Sequence, residues 1–238
     1  MSEYTDFLKK YLNIGLTRPE PGADFYDKDW QKNINDTNQF GNIDKWKAAF
    51  LPNYASRGVL EVGCGVGRLS VEFAKMGCDV LGFDISPWAI EQAKKRVKGT
   101  PYEESCQFEV GDAYNPPTKE LFDTVMAIDV IEHLERPFDA MKAWYDRLRV
   151  NGHLIIFTPN AFKEEVLLRM SLGVEPEIEP TAHINMQTIW SLGTMANSLP
   201  GEKTVRFHPC PIPSEVSNPA LNVFLLCDIQ KGGFYAKG

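Results

Sequence analysis

From position 57 the chain alternates short apolar runs with segments whose apolar residues recur at helical spacing. GVLEV at 58–62 predicts a strand, and RLSVEFAKMG predicts a helix closed by Gly77. DVLGFD predicts the next strand. Ser86 and Pro87 then supply an N-cap and a first-turn residue for WAIEQAKKRVK, whose Ile90, Ala93 and Val97 share one face. CQFEVGD and FDTVMAID predict two more strands. PFDAMKAWYDRLR sets Phe138, Met141, Trp144 and Leu148 at helical spacing, and an Asn-Gly turn leads into the strand HLIIFTP. Apolar strands alternating with helices predict an α/β fold: a doubly wound, mostly parallel sheet covered on both faces. KTVRFHPCPI and ALNVFLLCDIQ, with no helical pattern between them, predict a closing hairpin-like pair.

Residues 1–50 read differently. They are polar and aromatic-rich, with a predicted helix at 3–12, a loop of Pro19, Pro21 and Gly22, and a second helix at 42–50. They are expected to form an N-terminal cap on a core of residues 51–238, with a loosely attached arm as the alternative for residues 1–25. Residues 160–200 are too many for a bare loop. KEEVLLRM and MQTIWSLGTMA predict helices there, joined by EPEIEPTAHIN. An insertion at this edge of the sheet is expected to form a substrate wall.

Composition narrows the classes. The chain has 238 residues, 43% hydrophobic and 24% charged, enough for a sizeable core. A net charge of −7 argues against gripping nucleic acid through its phosphates. The five cysteines form no CxxC pair and no disulfide pattern. No apolar run approaches a membrane span. The expectation is a cytoplasmic protein with a small-molecule partner, no nucleic acid and no membrane.

The chemistry starts in EVGCGVG, residues 61–67. Glycines at a strand-to-helix turn let the backbone approach a ligand, and Asp84 at the end of the second strand can accept both hydrogen bonds of a ribose diol. Two cofactors compete. A dinucleotide fingerprint GxGxxG counted from Gly63 needs glycine at 68, where this chain has Arg68; counted from Gly65 it meets Ser70. The loop is ExGxGxG instead, and the Glu61 carboxylate suits a cationic ligand better than a pyrophosphate. Gly67 has two readings, a role in the loop or helix–sheet packing. Asp112 has a second reading as a turn former, and Cys64 is expected to be passive.

With EVGCGVG, FDIS, GDAY at 111–114 and MAIDVIEHL, the chain resembles the class I S-adenosylmethionine-dependent methyltransferases over about 57–230. The resemblance implies a seven-stranded Rossmann-like sheet whose last strand is antiparallel. It implies that Gly63 and Gly65 pass the methionine part, with Glu61 heading the loop. Asp84 would hold the ribose, Ile85 would lie against the adenine, Asp112 would take the adenine amino group, and Ala113 would flank it. Ile128, in the fourth strand, joins these cofactor-binding positions.

The second stretch is DVIEHL. If it opens a helical turn, Asp129, Glu132 and His133 project to one side. His133 could act as a general base with Glu132 beside it; lining the pocket is the bland reading. Adding His183, the spacing is similar to the ExxEH…H metal site of small-RNA 2′-O-methyltransferases and to the matching stretch of ubiquinone-pathway O-methyltransferases. Asp129 stands where those families have Glu and reaches less far. Asp129, Glu132, His133 and His183 would suit a divalent metal (Mg, Mn, Fe or Zn) that lowers the pKa of a bound hydroxyl. The opposing reading makes His183 an ordinary surface or capping residue. His153 is expected to be structural, and His208 to edge the pocket. Tyr26 and Trp30 form an aromatic lid or pack on the core, with core packing preferred.

The resulting expectation is methylation of a small-molecule hydroxyl, sugars and phenols or catechols leading, possible with or without the metal. Rivals are a metal-free N- or O-methyltransferase with His133 as base, an NAD-dependent oxidoreductase, and a non-catalytic S-adenosylmethionine-binding module.

Overall fold

The computed structural model describes residues 20–32, 47–48, 50–162, 164–172, 183–208 and 224–233. The helix expected at 3–12 and most of the one at 42–50 lie outside these residues; Lys47, Ala48 and Phe50 are helical.

A helix α1, Ala23–Lys32, precedes the sheet. Then follow β1 (Gly58–Val62), α2 (Arg68–Lys75), β2 (Asp79–Asp84), α3 (Pro87–Val97), β3 (Cys106–Val110) and β4 (Phe122–Ile128). A 3-10 turn at Ile131–His133 leads to α4 (Pro137–Tyr145) and β5 (Leu148–Pro159). The insertion carries α5 (Glu164–Ser171) and α6 (Ile189–Asn197), before β6 (Lys203–His208) and β7 (Phe224–Lys231).

One seven-stranded sheet runs in the order β3-β2-β1-β4-β5-β7-β6. β1 to β5 pair in parallel, and β7 is antiparallel to both β5 and β6. The closing pair expected from the sequence is therefore present, with β7 inserted inside β6. On one face Leu60, Val125, Leu154 and Ile229 pack under Met141 and Trp144 of α4 and Leu192 of α6. On the other, Val59, Val80, Met126 and Ile155 pack under Phe73 of α2 and Ile90 of α3. Strand alternation makes each strand serve both cores.

Local signals explain most boundaries. Ser86 accepts a hydrogen bond from the Ala89 amide (3.0 Å) as the N-cap of α3, and Gly77 closes α2 at φ +85°. The helix expected through Leu148 stops at Tyr145. Leu148 instead pairs with Phe122, while Thr124 pairs with His153, so Asn151 (φ +66°) and Gly152 form a bulge inside β5 rather than a turn before it. Helix α6 starts at Ile189 rather than Met186, capped by a reciprocal Thr188–Ser191 pair. Among the described residues, Cys64, Cys78, Cys106 and Cys227 are buried free thiols, and no helix is long and apolar enough to cross a membrane.

Candidate active site

The chain steps outward from β1 to β2 and β3, then jumps back to β4 on the other side of β1. At this switch the helices after β1 and β4 leave on opposite faces and open a crevice at the strand C-termini. Every residue of the sequence-derived site except His183 is within this crevice or one residue of its walls. Two adjoining cavities occupy it, of about 350 and 200 Å³.

The glycines of the loop are all left-handed, with φ +66° at Gly63, +52° at Gly65 and +73° at Gly67. Their neighbours differ. A Cβ on Gly65 would overlap the Trp30 ring, and one on Gly67 would lie 2.6 Å from Phe108 Cζ and 3.0 Å from Ala93 Cβ. Gly67 thus serves the packing of α2 and α3 on the sheet, while Gly63 and Gly65 border the cavities. Glu61 faces α2, where Ser70 Oγ donates to its Oε2. Burial pushes its carboxyl up to about 8, partly offset by the Ser70 hydrogen bonds.

Asp84 accepts from the Gly65 amide at Oδ2 and from the Ser86 amide at Oδ1, both at 2.9 Å. Burial raises its pKa, and these two amides work against that rise. Each oxygen keeps a second lone pair for a ligand hydroxyl. Asp84, Ile85, Asp112 and Ala113 all line the larger cavity. Asp112 does double duty: its Oδ1 accepts from the Tyr114 amide at 2.8 Å, so the turn-forming reading holds alongside the cavity position. Ile128 and Glu61 line the smaller cavity.

The sequence pattern did not reveal α1 as a helix, and the preferred core packing of its aromatics does not occur. No residue of α1 is fully buried. Tyr26 and Trp30, one helical turn apart, instead line the larger cavity, and Tyr26 meets the His133 ring edge-on at 6.0 Å. Two carboxylates hold this strap in place. Asp27 Oδ1 accepts from Ser86 Oγ and from the Trp88 amide (3.2 Å). Glu20 Oε2 accepts from Tyr114 Oη (2.5 Å) and the Glu135 amide (2.9 Å). The signal was present as FYDKDW, with its aromatics at i and i+4.

DVIEHL behaves otherwise than its spacing predicts. Asp129 is left-handed (φ +52°), and the helical turn begins only at Ile131, so Asp129 does not project with the others. Its Oδ2 is ion-paired to Lys47, a second residue that the sequence pattern did not single out. Ligand atoms of Glu132, His133 and His183 do converge, all within 4.8 Å of one another. Of the four residues expected to gather, three do; Asp129, whose Oδ2 is ion-paired to Lys47, is outside the group. Glu132 is fully buried; Thr158 Oγ1 donates to its Oε2 at 2.9 Å, and its Oε1 has no hydrogen-bond partner. Burial, reinforced by Asp129, raises its pKa above the usual carboxylate range. The His183 ring stands edge-on to His133 at 4.9 Å. His183 is held there because the Asn185 amide donates to Glu132 O (2.9 Å) and the Ala161 amide to Gln187 O (2.8 Å).

The remaining histidines lie elsewhere. His153 Nδ1 is 2.7 Å from Asp228 Oδ1, agreeing with a structural role. His208, expected at the pocket edge, instead stands 3.5 Å from Asp228 Oδ2 and against Tyr54. It lines neither cavity.

Sheet order and crevice define a Rossmann-like methyltransferase fold. Residues 60–156 match the family model described as a methyltransferase domain, and the chain is similar to class I S-adenosylmethionine-dependent methyltransferases. The mitochondrial ubiquinone biosynthesis O-methyltransferase of Schizosaccharomyces pombe is 32% identical over 106 residues, 44% of this chain and 39% of that enzyme. Norajmaline N-methyltransferase of Rauvolfia serpentina is 38% identical over 86 residues, 35% of this chain and 30% of that one. The match thus spans less than half the length of either relative. Among solved structures, magnesium protoporphyrin IX methyltransferase from Synechocystis PCC 6803 with bound SAH superposes with a TM-score of 0.63 at 14% identity, covering 88% of this chain and 98% of that one.

Proposed function

We propose that the protein is an S-adenosylmethionine-dependent methyltransferase acting on a hydroxyl of a small-molecule acceptor, of the sugar, phenol or catechol type. Residues 1–50 serve in this reading as a cap on a core of 51–238. The observation that carries the hydroxyl assignment is the convergence of Glu132, His133 and His183 within 4.8 Å, with His133 on the wall of the larger cavity. An amine needs only its neutral form to attack a methyl group, whereas a hydroxyl must lose a proton.

The acceptor oxygen forms the new bond to the methyl carbon as the carbon–sulfur bond breaks. The bonding pair stays on sulfur, which leaves as a neutral thioether; the hydroxyl proton passes to His133 where that ring ligates no cation, and to solvent where it does. Asp84 holds the ribose, Asp112 the adenine amino group, and the Gly63–Gly65 backbone the methionine part. The buried Oε1 of Glu132, which accepts no hydrogen bond, and two imidazoles fit a divalent cation, held by Glu132, His133 and His183. Bound there, the cation would supply Lewis acidity that lowers the pKa of the acceptor hydroxyl.

A second reading rests on the raised pKa of Glu132. A carboxyl kept neutral by burial donates a proton rather than ligating a metal, and would orient His133 in a metal-free enzyme. One experiment separates the two. Formation of S-adenosylhomocysteine is followed over a panel of sugars, catechols and amines, before and after EDTA with Mn²⁺ added back, for wild type and His183→Ala. Activity on hydroxyl acceptors that EDTA abolishes, Mn²⁺ restores and His183→Ala lacks supports the metal reading. Activity indifferent to both supports the metal-free one, and turnover of amines alone overturns the hydroxyl assignment.

A further inference from the structure

The two cavities share three walls: Gly63, Trp30 and Asp129. Asp84, Ile85, Asp112 and Ala113 belong to the larger cavity, while Glu61, Cys64 and Gly65 belong to the smaller. An S-adenosylmethionine molecule with its adenosine in the first and its methionine tail along the glycine loop would bring its sulfonium to their junction, and Trp30 is one of the residues that line both cavities there.

We propose that Trp30 is a recognition residue for the positive charge of the cofactor, its indole covering the sulfonium; this rests on the cofactor reading above. Three observations support it. Trp30 is pressed onto the Gly65 backbone so closely that only glycine fits beneath it. The larger cavity is walled by the carboxylates of Glu20, Asp29, Asp84 and Asp112, with no lysine or arginine among its described lining residues; at the junction Asp129 is ion-paired to Lys47, and Arg68 lines the smaller cavity. The helix bearing Trp30 contributes no fully buried residue to the core, yet Asp27 and Glu20 tether the strap that carries it over the crevice. A cation over an aromatic face in a partly desolvated site is attracted by the ring quadrupole, most strongly by indole.

Charge recognition differs from shape recognition in what it distinguishes. S-adenosylhomocysteine lacks only the methyl group and has a neutral sulfur, and sinefungin replaces the sulfur by carbon and carries an ammonium where the methyl stands. The test is calorimetric affinity for S-adenosylmethionine, sinefungin and S-adenosylhomocysteine in wild type, Trp30→Phe and Trp30→Leu. Trp30→Leu is expected to weaken the two cationic ligands about 2- to 30-fold and the neutral one less than about 2-fold, with Trp30→Phe between. Because Trp30 lies outside the core, unfolding midpoints of all three proteins should agree. Equal losses for all three ligands, or none, overturn the proposal while leaving the cofactor reading intact. A wild-type protein that binds none of the three overturns the cofactor reading itself.

Discussion

Lys47 is ion-paired to Asp129 across 82 residues of sequence, joining the segment before β1 to the residue that follows β4. Both residues line the smaller cavity, and Asp129 is outside the group formed by Glu132, His133 and His183. Lys47 is nearly buried, and its ammonium also lies 5.4 Å from the centre of the Phe157 ring.

Removing one partner of this pair strands the other. Lys47→Met is expected to lower stability by about 1–2 kcal/mol, between the values typical of exposed and buried pairs, since the Asp129 side chain is 32% exposed. Lys47→Met with Asp129→Asn should recover most of that loss. A double-mutant cycle in urea denaturation checks it; strictly additive losses would show the pair to be uncoupled.

Glu132→Gln imitates the neutral carboxyl. If the group works protonated, the variant should keep activity within about tenfold of wild type, one lost hydrogen-bond polarity being worth roughly 1.4 kcal/mol. As a cation ligand, its replacement should abolish metal-dependent turnover and any thermal shift on adding Mn²⁺. Steady-state rates beside a thermal-shift titration distinguish these outcomes.

Glu61 should make the protein less stable as pH rises. In the folded chain its carboxyl stays protonated up to about 8, whereas in the unfolded chain it ionises near 4.5. Between those values folding takes up a proton, so stability is lost with rising pH across that window. Denaturation midpoints compared at the two ends should show a smaller fall for Glu61→Gln than for wild type. The fall should not vanish, because Glu132 is shifted in the same direction.

Two glycine substitutions should separate packing from binding. Gly67→Ala places a methyl group against Phe108 in a left-handed residue and should cost about 2–4 kcal/mol of stability. Gly65→Ala collides with Trp30, so adding Trp30→Leu should restore part of its lost stability. Urea denaturation of the singles and the double checks the coupling; independence of positions 65 and 30 would contradict the observed contact.

Much of the site is legible in the sequence. EVGCGVG, Asp84, GDAY and DVIEHL are local signals, each tied to a strand end, and strand ends follow from apolar periodicity. Leu148 misleads because its spacing from Trp144 fits a helix while its pairing with Phe122 serves a strand. Asp129 misleads for a similar reason: spacing of i, i+3 and i+4 gives one face only when all the residues are helical, and a left-handed residue breaks it.

The sequence by itself determined the alternation of strands and helices, the glycine bend, and the residue types gathered at the strand ends, because these depend on neighbours within a few positions. Only the tertiary structure decided that Lys47 claims Asp129, that His183 reaches His133, and that Trp30 lies on Gly65. Each is a contact between distant segments, chosen by how the chain packs and where charge can be balanced, and no local pattern encodes that choice.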